Sequence, residues 1–363
     1  MRNIRPLKFI AALVSVVVVS SLLSVAVTAK NFSESYPVVV CPPTLDGLGS
    51  QISLSSKKTP FQRLQNRSTN TTQVEVLRLP VNKDSLVITS EGVAPVVWQS
   101  RSGSWAGGAL CVGPASSQWF VGGAADVTTR GRLIIVNSGL SDAVVDVVTF
   151  TENGKQPVRA TNVSSKNYIV IPIDSLAPGD KTLTVHVVPR SGRINAFMID
   201  EQGKGLKALG GDLVNPAVTA SKSVVIPAIP NQISKNTAAL PHTLRVLAPG
   251  DLDASITVEV VSADGVFVPV GLNSRTISAG VVSEFKLDPN ITSNLMAVRI
   301  SSTEPIVAAV KSTATVSGKK DFVWSTVAPE LVPLTMAITG LDPLITFTGE
   351  NINVSLKVTL VNG

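Results

Sequence analysis

The chain is short of the residues that carry most enzyme chemistry. Its 363 residues include two histidines, two cysteines and two tyrosines, with aromatics at 4% and charged residues at 15%. Imidazole catalysis could use only His186 or His242. In "TLTVHVV" the inward face of a strand falls to Leu183, Val185 and Val187, which leaves His186 facing outward. His242 opens a strand after Pro241. Neither lies near a motif that marks a nucleophile, and a triad needs nucleophile, base and orienter together. Both read as structural or solvated.

Other catalytic signatures are missing too. There is no G-x-S-x-G elbow, P-loop or completed G-x-G-x-x-G. Ser55-x-x-Lys58 and Ser317-x-x-Lys320 match the S-x-x-K spelling but have no companion S-D-N or K-T-G. Asp251 and Asp253 begin like a calcium loop, yet the sixth position is Ile256 and the twelfth Ser262, so both read as turn residues. No His/Cys/Asp/Glu cluster has zinc spacing, and no metal or cofactor is expected. Basic runs with interleaved aromatics are absent, which argues against a nucleic-acid partner. Setting aside Arg2, Arg5 and Lys8 lowers the net charge from +6 to +3.

What is present points to export. Arg2, Arg5 and Lys8 precede an apolar stretch from Phe9 to Ala29, with small-residue cleavage sites at Val27-Thr28-Ala29 and Ser24-Val25-Ala26. Residues 1–30 read as a signal peptide or an uncleaved signal anchor. In either case the remainder lies outside the cytoplasm, secreted or membrane-anchored. In such a compartment Cys41 and Cys111 are expected to pair. Sequons stand at Asn31, Asn66, Asn70, Asn162, Asn290 and Asn353 and matter only in a host that glycosylates them.

The rest is rich in Val, Thr, Ile and Ser, with turn signals every eight to twelve residues, as in β-sandwiches. The clearest strand is Asn351 to Leu360, where Ile352, Val354, Leu356, Val358 and Leu360 alternate with polar residues. An internal repeat has an offset of 111 residues. Leu133 matches Leu244, Asp142-Ala143 matches Asp253-Ala254, Val145 and Val147 match Ile256 and Val258, and Val187 falls over Val298. Asn153-Gly154 and Asp264-Gly265 are hairpin turns of the positive-φ kind.

The expected fold is all-β, with tandem Ig-like β-sandwich domains after the N-terminal segment. The divisions are 31–117 (an N-terminal β region with the disulfide), 118–215 (repeat 1), 216–330 (repeat 2) and 331–363 (C-terminal strands). Gly203 to Lys222 is the expected linker. The two terminal regions either pair with each other or form a third module.

Three of the four tryptophans crowd into "WQSRSGSWAGGALCVGPASSQWF", from Trp98 to Phe120. Trp119-Phe120 reads as core. Trp98 and Trp105, set among Ser, Arg and Gly, are read either as an exposed binding platform with Arg101 or as core around the disulfide.

Several stretches resemble a family of actinobacterial exported proteins labelled domain of unknown function 5719. They are "VVVCPPT" at Val38 to Thr44, "ALCVGPASSQWFVGG" at Ala109 to Gly123 and "GRLIIVNSGLSDAVVDV" at Gly131 to Val147. The resemblance implies an envelope location and supplies no activity or catalytic residues. The expected function is non-enzymatic binding or scaffolding at the cell envelope, with a wall polymer or an envelope-assembly protein as partner. The alternatives are a glycan hydrolase whose carboxylates converge on folding, and a surface adhesin.

Overall fold

A computed structural model describes residues 38–55, 57–64, 71–89, 92–231, 242–287, 291–316, 318–339, 344–349 and 353–360. The leader and the sequons at Asn31, Asn66, Asn70 and Asn290 lie outside them, as does Ser317. Among the described residues no helix is long and apolar enough to cross a membrane.

The protein is all-β. Its first segment runs β1 (Val38–Cys41), β2 (Gly49–Ser53), β3 (Thr59–Arg63), β4 (Thr72–Val74), β5 (Arg78–Pro80), β6 (Leu86–Thr89), β7 (Val93–Arg101) and β8 (Trp105–Leu110). The second runs β9 (Gln118–Val121), β10 (Arg132–Asn137), β11 (Ala143–Thr151), β12 (Gly154–Lys155), β13 (Arg159–Val163), β14 (Asn167–Pro172), β15 (Leu183–Ser191), β16 (Ile194–Lys204) and β17 (Lys207–Val214). The third runs β18 (Ser221–Pro230), β19 (His242–Leu247), β20 (Ala254–Ser262), β21 (Gly265–Phe267), β22 (Arg275–Ile277), β23 (Ser283–Leu287), β24 (Leu295–Val316) and β25 (Lys319–Thr326). β26 (Thr335–Ala337) follows.

The three segments share one pairing scheme. In the first, one sheet has the order β1-β6-β3-β4, and the other contains β5-β2-β7 with β8 added on β7. The second repeats this as β9-β15-β11-β12 (with β13 also on β11) and β14-β10-β16-β17. In the third, β18, β20, β21 and β22 assemble around the first half of β24, and β23, β19 and β25 around its second half. The 111-residue offset carries β11 onto β20 and the start of β12 onto β21. Gly154 and Gly265 hold φ of 103° and 126°, as the expected turns require. Asp142 and Asp253 play matching parts: each carboxylate accepts a backbone N–H from a later loop, Ser165 at 2.9 Å and Ala279 at 2.8 Å.

The connectivity corrects the Ig-like expectation. After β15 the chain crosses to the opposite sheet, and β16 pairs with β10 rather than with β15. In the third segment the same crossing is made within the 22-residue β24. Residues 38–112 form a further two-sheet unit, and β26 adds to it in parallel along Val93–Pro95 of β7.

Each sheet pair encloses its own apolar core. Val39, Ile52, Phe61, Leu86, Ile88 and Val97 fill the first, together with the Cys41–Cys111 disulfide. In the third, Ala254, Ile256, Val258 and Val260 point inward as the alternation predicts. The pairs are not independent, because several strands are covered on both faces. In "LIIV", Leu133 and Ile135 face the second core while Ile134 and Val136 face a cluster shared with Val40 and Leu64 of the first pair. In "IVAAV", Ile306, Ala308 and Val310 belong to the third core, and Val307 and Ala309 join the second. Continuous apolar runs mark strands buried on both faces. The arrangement of the sheet pairs is propeller-like, and β17 lies against both β8 of the first pair and β25 of the third.

Two further expectations are corrected. The proposed linker 203–222 contains β17, a central strand, whose small residues permit close packing rather than flexibility. Residues 353–360, the described part of the clearest predicted strand, join no sheet, and Val354, Leu356, Val358 and Leu360 are exposed. Alternation specifies a strand's two faces but does not supply a partner.

Candidate functional site

The sequence singled out Trp98, Arg101 and Trp105, all on the β7–β8 hairpin. Arg101 and Trp105 are directly opposite in the register. Trp98 lies three residues from Arg101, on the other face of the strand, so the three side chains do not form one platform. Trp105 is buried (4% exposed), packed with Val40, Ile134, Phe197 and Leu213 where the first and second sheet pairs meet. Its ring lies so close to β17 that a Cβ on Gly211 would come within 2.8 Å. The Arg101 guanidinium grips the Glu201 carboxylate through Nε and Nη2, and Nη1 donates to the Gly47 carbonyl at 3.2 Å. Trp98 is half-buried over Gly108, whose missing Cβ makes room for the ring.

No tryptophan packs in the cluster around the disulfide. The buried rings sit instead where sheet pairs meet. Trp119 and Phe120 are core, as expected. Trp324 joins the second and third pairs at a polar cluster that the sequence reading missed. Its backbone N–H donates to Asp212 Oδ2 at 2.7 Å, and its indole Nε1 donates to Asp200 Oδ2 at 2.8 Å. Asp200 and Asp212 are cross-strand partners on β16 and β17. Asp212 Oδ1 also accepts its neighbour Leu213's N–H, and Asp321 Oδ1 accepts that of Gly211. Lys311 Nζ stands 3.8 Å from the Phe322 ring centroid, and the Arg245 guanidinium lies 4.8 Å over Trp324 while pairing with Glu284.

Burial sets the charges here. It pushes the Asp212 carboxyl up to about 8, against the opposing bonds from Trp324 and Leu213, with Asp200 and Asp321 adding to the rise. Burial also raises Asp321 and lowers Lys311. A raised carboxyl beside a second one is the arrangement a glycosidase uses. Here, however, Asp200 and Asp212 are 0% and 5% exposed. β8 seals the place as well: a Cβ on Gly107 would meet Asp212 Oδ1 at 2.5 Å. The geometry joins strands and gives a substrate no entry. The available signal was an acid ending or interrupting each of two apolar strings, "INAFMID" and "LGGDLV".

Of the two alternatives for the histidines, structural or solvated, both rings take the structural one. His186 faces away from Val185 and Val187 but is half-buried. It stacks on Trp119 with centroids 3.6 Å apart, and its Nε2 is 2.8 Å from Ser117 Oγ. Burial, then the Lys155 charge, pushes its pKa down to about 4. His242 is buried between Ser312 Oγ at 2.8 Å and Asn231 Oδ1 at 3.1 Å. Ser312 is 2% exposed, too deep to act as a nucleophile. Among the described residues no group of three His, Cys, Asp or Glu side chains could hold a metal ion.

No curated protein matches the chain. Among solved structures, the crystal structure of Thermotoga maritima 1070 is similar over 29% of this chain and 94% of its own, at 14% identity and a TM-score of 0.26. The profile of a family of unknown function, DUF5719, matches residues 87–343. The chain therefore belongs to the DUF5719 family.

Proposed function

We propose that this is a non-enzymatic protein of the cell envelope, secreted or anchored by residues 1–30, that binds or scaffolds a wall polymer or an envelope-assembly partner. The Cys41–Cys111 disulfide carries this reading. It is buried in the first core and closes a long loop, and such bonds persist in oxidising compartments. The interlocked sheet pairs suit a rigid scaffold, and the acids that converge serve packing. Of the three hairpin residues, Trp98 remains partly open to a ligand, while Arg101 and Trp105 hold the hairpin in place.

Crosslinking in intact cells followed by pull-down tests the reading. Recovery of wall polymer or an envelope protein is expected, from a chain whose cysteines resist alkylation until reduced. Cytoplasmic recovery with both thiols free would reject it. Retention at the membrane, against release into the medium, separates a tethered scaffold from a displayed adhesin.

A further inference from the structure

The β7–β8, β16–β17 and β24–β25 hairpins all point toward one end of the molecule. β17 runs alongside both β8 and β25 in the same direction: Trp105 lies on Gly211 and Gly107 on Asp212, while Gly210 lies on Asp321 and Asp212 meets Trp324. Lys319 Nζ, beside the β24–β25 turn, reaches the Gly103 carbonyl in the β7–β8 turn at 2.6 Å. The β9–β10 loop joins this end, with Gly203 N donating to the Thr128 carbonyl at 2.8 Å and Arg130 Nη2 to the Gly205 carbonyl.

Two properties coincide there. Leu206 and Val127, on adjoining turns, are as exposed as free side chains, at 105% and 101%. Around them stand Arg130, Lys204, Lys207, Lys319 and Lys320, and none of these five forms an ion pair among the described residues. Of the nearby acids, Glu201 is taken by Arg101, Asp126 accepts from Thr128, and Asp321 is half-buried and bonded to Gly211. Solvated turns favour polar residues, so two protruding aliphatic side chains within a basic ring call for an apolar medium edged by negative charge.

We infer that this end docks on an anionic bilayer surface, with Leu206 and Val127 entering the headgroup boundary and the lysines meeting lipid phosphates. A soluble polyanion would satisfy the lysines but leave both aliphatic side chains in water. The inference deepens the envelope reading by naming a surface, and it rests on that reading for its compartment.

Leu206→Cys in the full chain, carrying an environment-sensitive fluorophore, reports the depth of this tip whatever the leader does. Leu140→Cys, exposed on the β10–β11 turn at the opposite end, is the control. The expected result is a blue shift at position 206 with phosphatidylglycerol vesicles and none with phosphatidylcholine. The shift is lost in high salt and in the combined variant Lys204→Gln, Lys207→Gln, Lys320→Gln, and position 140 does not respond. A label that stays in water with both vesicles, shifts equally with both, shifts at both positions, or responds only to soluble polyphosphate overturns the proposal. Such a failure leaves the location of the protein to be decided by fractionation, which this label does not read.

Discussion

The Asp212 carboxylate accepts the backbone N–H of Trp324, and that 2.7 Å bond ties β17 of the second sheet pair to β25 of the third. Its protonation is coupled to folding. The folded pKa, at about 8, lies above the ordinary value of 3.8. Between those values the folded state binds more protons than the unfolded state, so stability falls as pH rises. The contribution is complete below about 4 and lost as pH passes through 8. Denaturant midpoints measured from pH 4 to 9 should show this decline, and Asp212→Asn should flatten that part of the profile. A wild-type profile that rises steadily across the window would show that Asp212 is not held protonated.

His186 acts with the opposite sign. Its folded pKa, about 4, lies below the ordinary 6.5. Its contribution is therefore present above 6.5 and lost as pH falls toward 4. Proton NMR of the two imidazoles should show the His186 ring still neutral at pH 5.5. His186→Ala should lower stability by about 1 kcal/mol through loss of the Trp119 stack. A midpoint near 6.5 would mean that the ring is solvated after all.

The parts legible in the sequence were local or repeated. Val145 and Val147 over Ile256 and Val258 identified equivalent strands because the inward face tolerates only similar side chains. The first sheet pair shares its connectivity with the other two but was not recognised as a copy. Its strands are mostly three to five residues long, too short to show a period, and its pairings join distant residues. The stretch from Asn351 to Leu360 shows the converse: the sequence holds a full alternation, yet its described residues, 353–360, pair with no strand. Asp200, Asp212 and Trp324 could not be grouped in advance. Their meeting depends on how sheet pairs pack, which is set by Gly107, Gly211 and the doubly buried "LIIV" and "IVAAV".

Cys41 and Cys111 are separated by 70 residues, and their bond ties the end of β1 to the residue that follows the β7–β8 hairpin. In the chain-entropy picture a loop of that length stabilises the folded state by about 4 kcal/mol. Cys41→Ser with Cys111→Ser should lower the urea midpoint accordingly, and reduction of the wild type should reproduce the loss. An unchanged midpoint would mean that the two-sheet core of residues 38–112 closes this loop without the bond.

The contact between β8 and β17 depends on the absence of side chains. A methyl group at residue 107 would come within 2.6 Å of the Leu213 backbone nitrogen and 2.5 Å of Asp212 Oδ1, both fixed by the surrounding sheet. Neither can yield without separating the first and second sheet pairs. Gly107→Ala should therefore lose about 1–3 kcal/mol to overpacking. It should also lower the Asp212 pKa, because water reaches the carboxylate. Gly250→Ala is the matched control: nothing lies within 4 Å of its Cβ, and it should change stability by less than about 0.5 kcal/mol. Equal effects of the two substitutions on midpoint and on the pH profile would show that the β8–β17 approach does not hold the sheet pairs together.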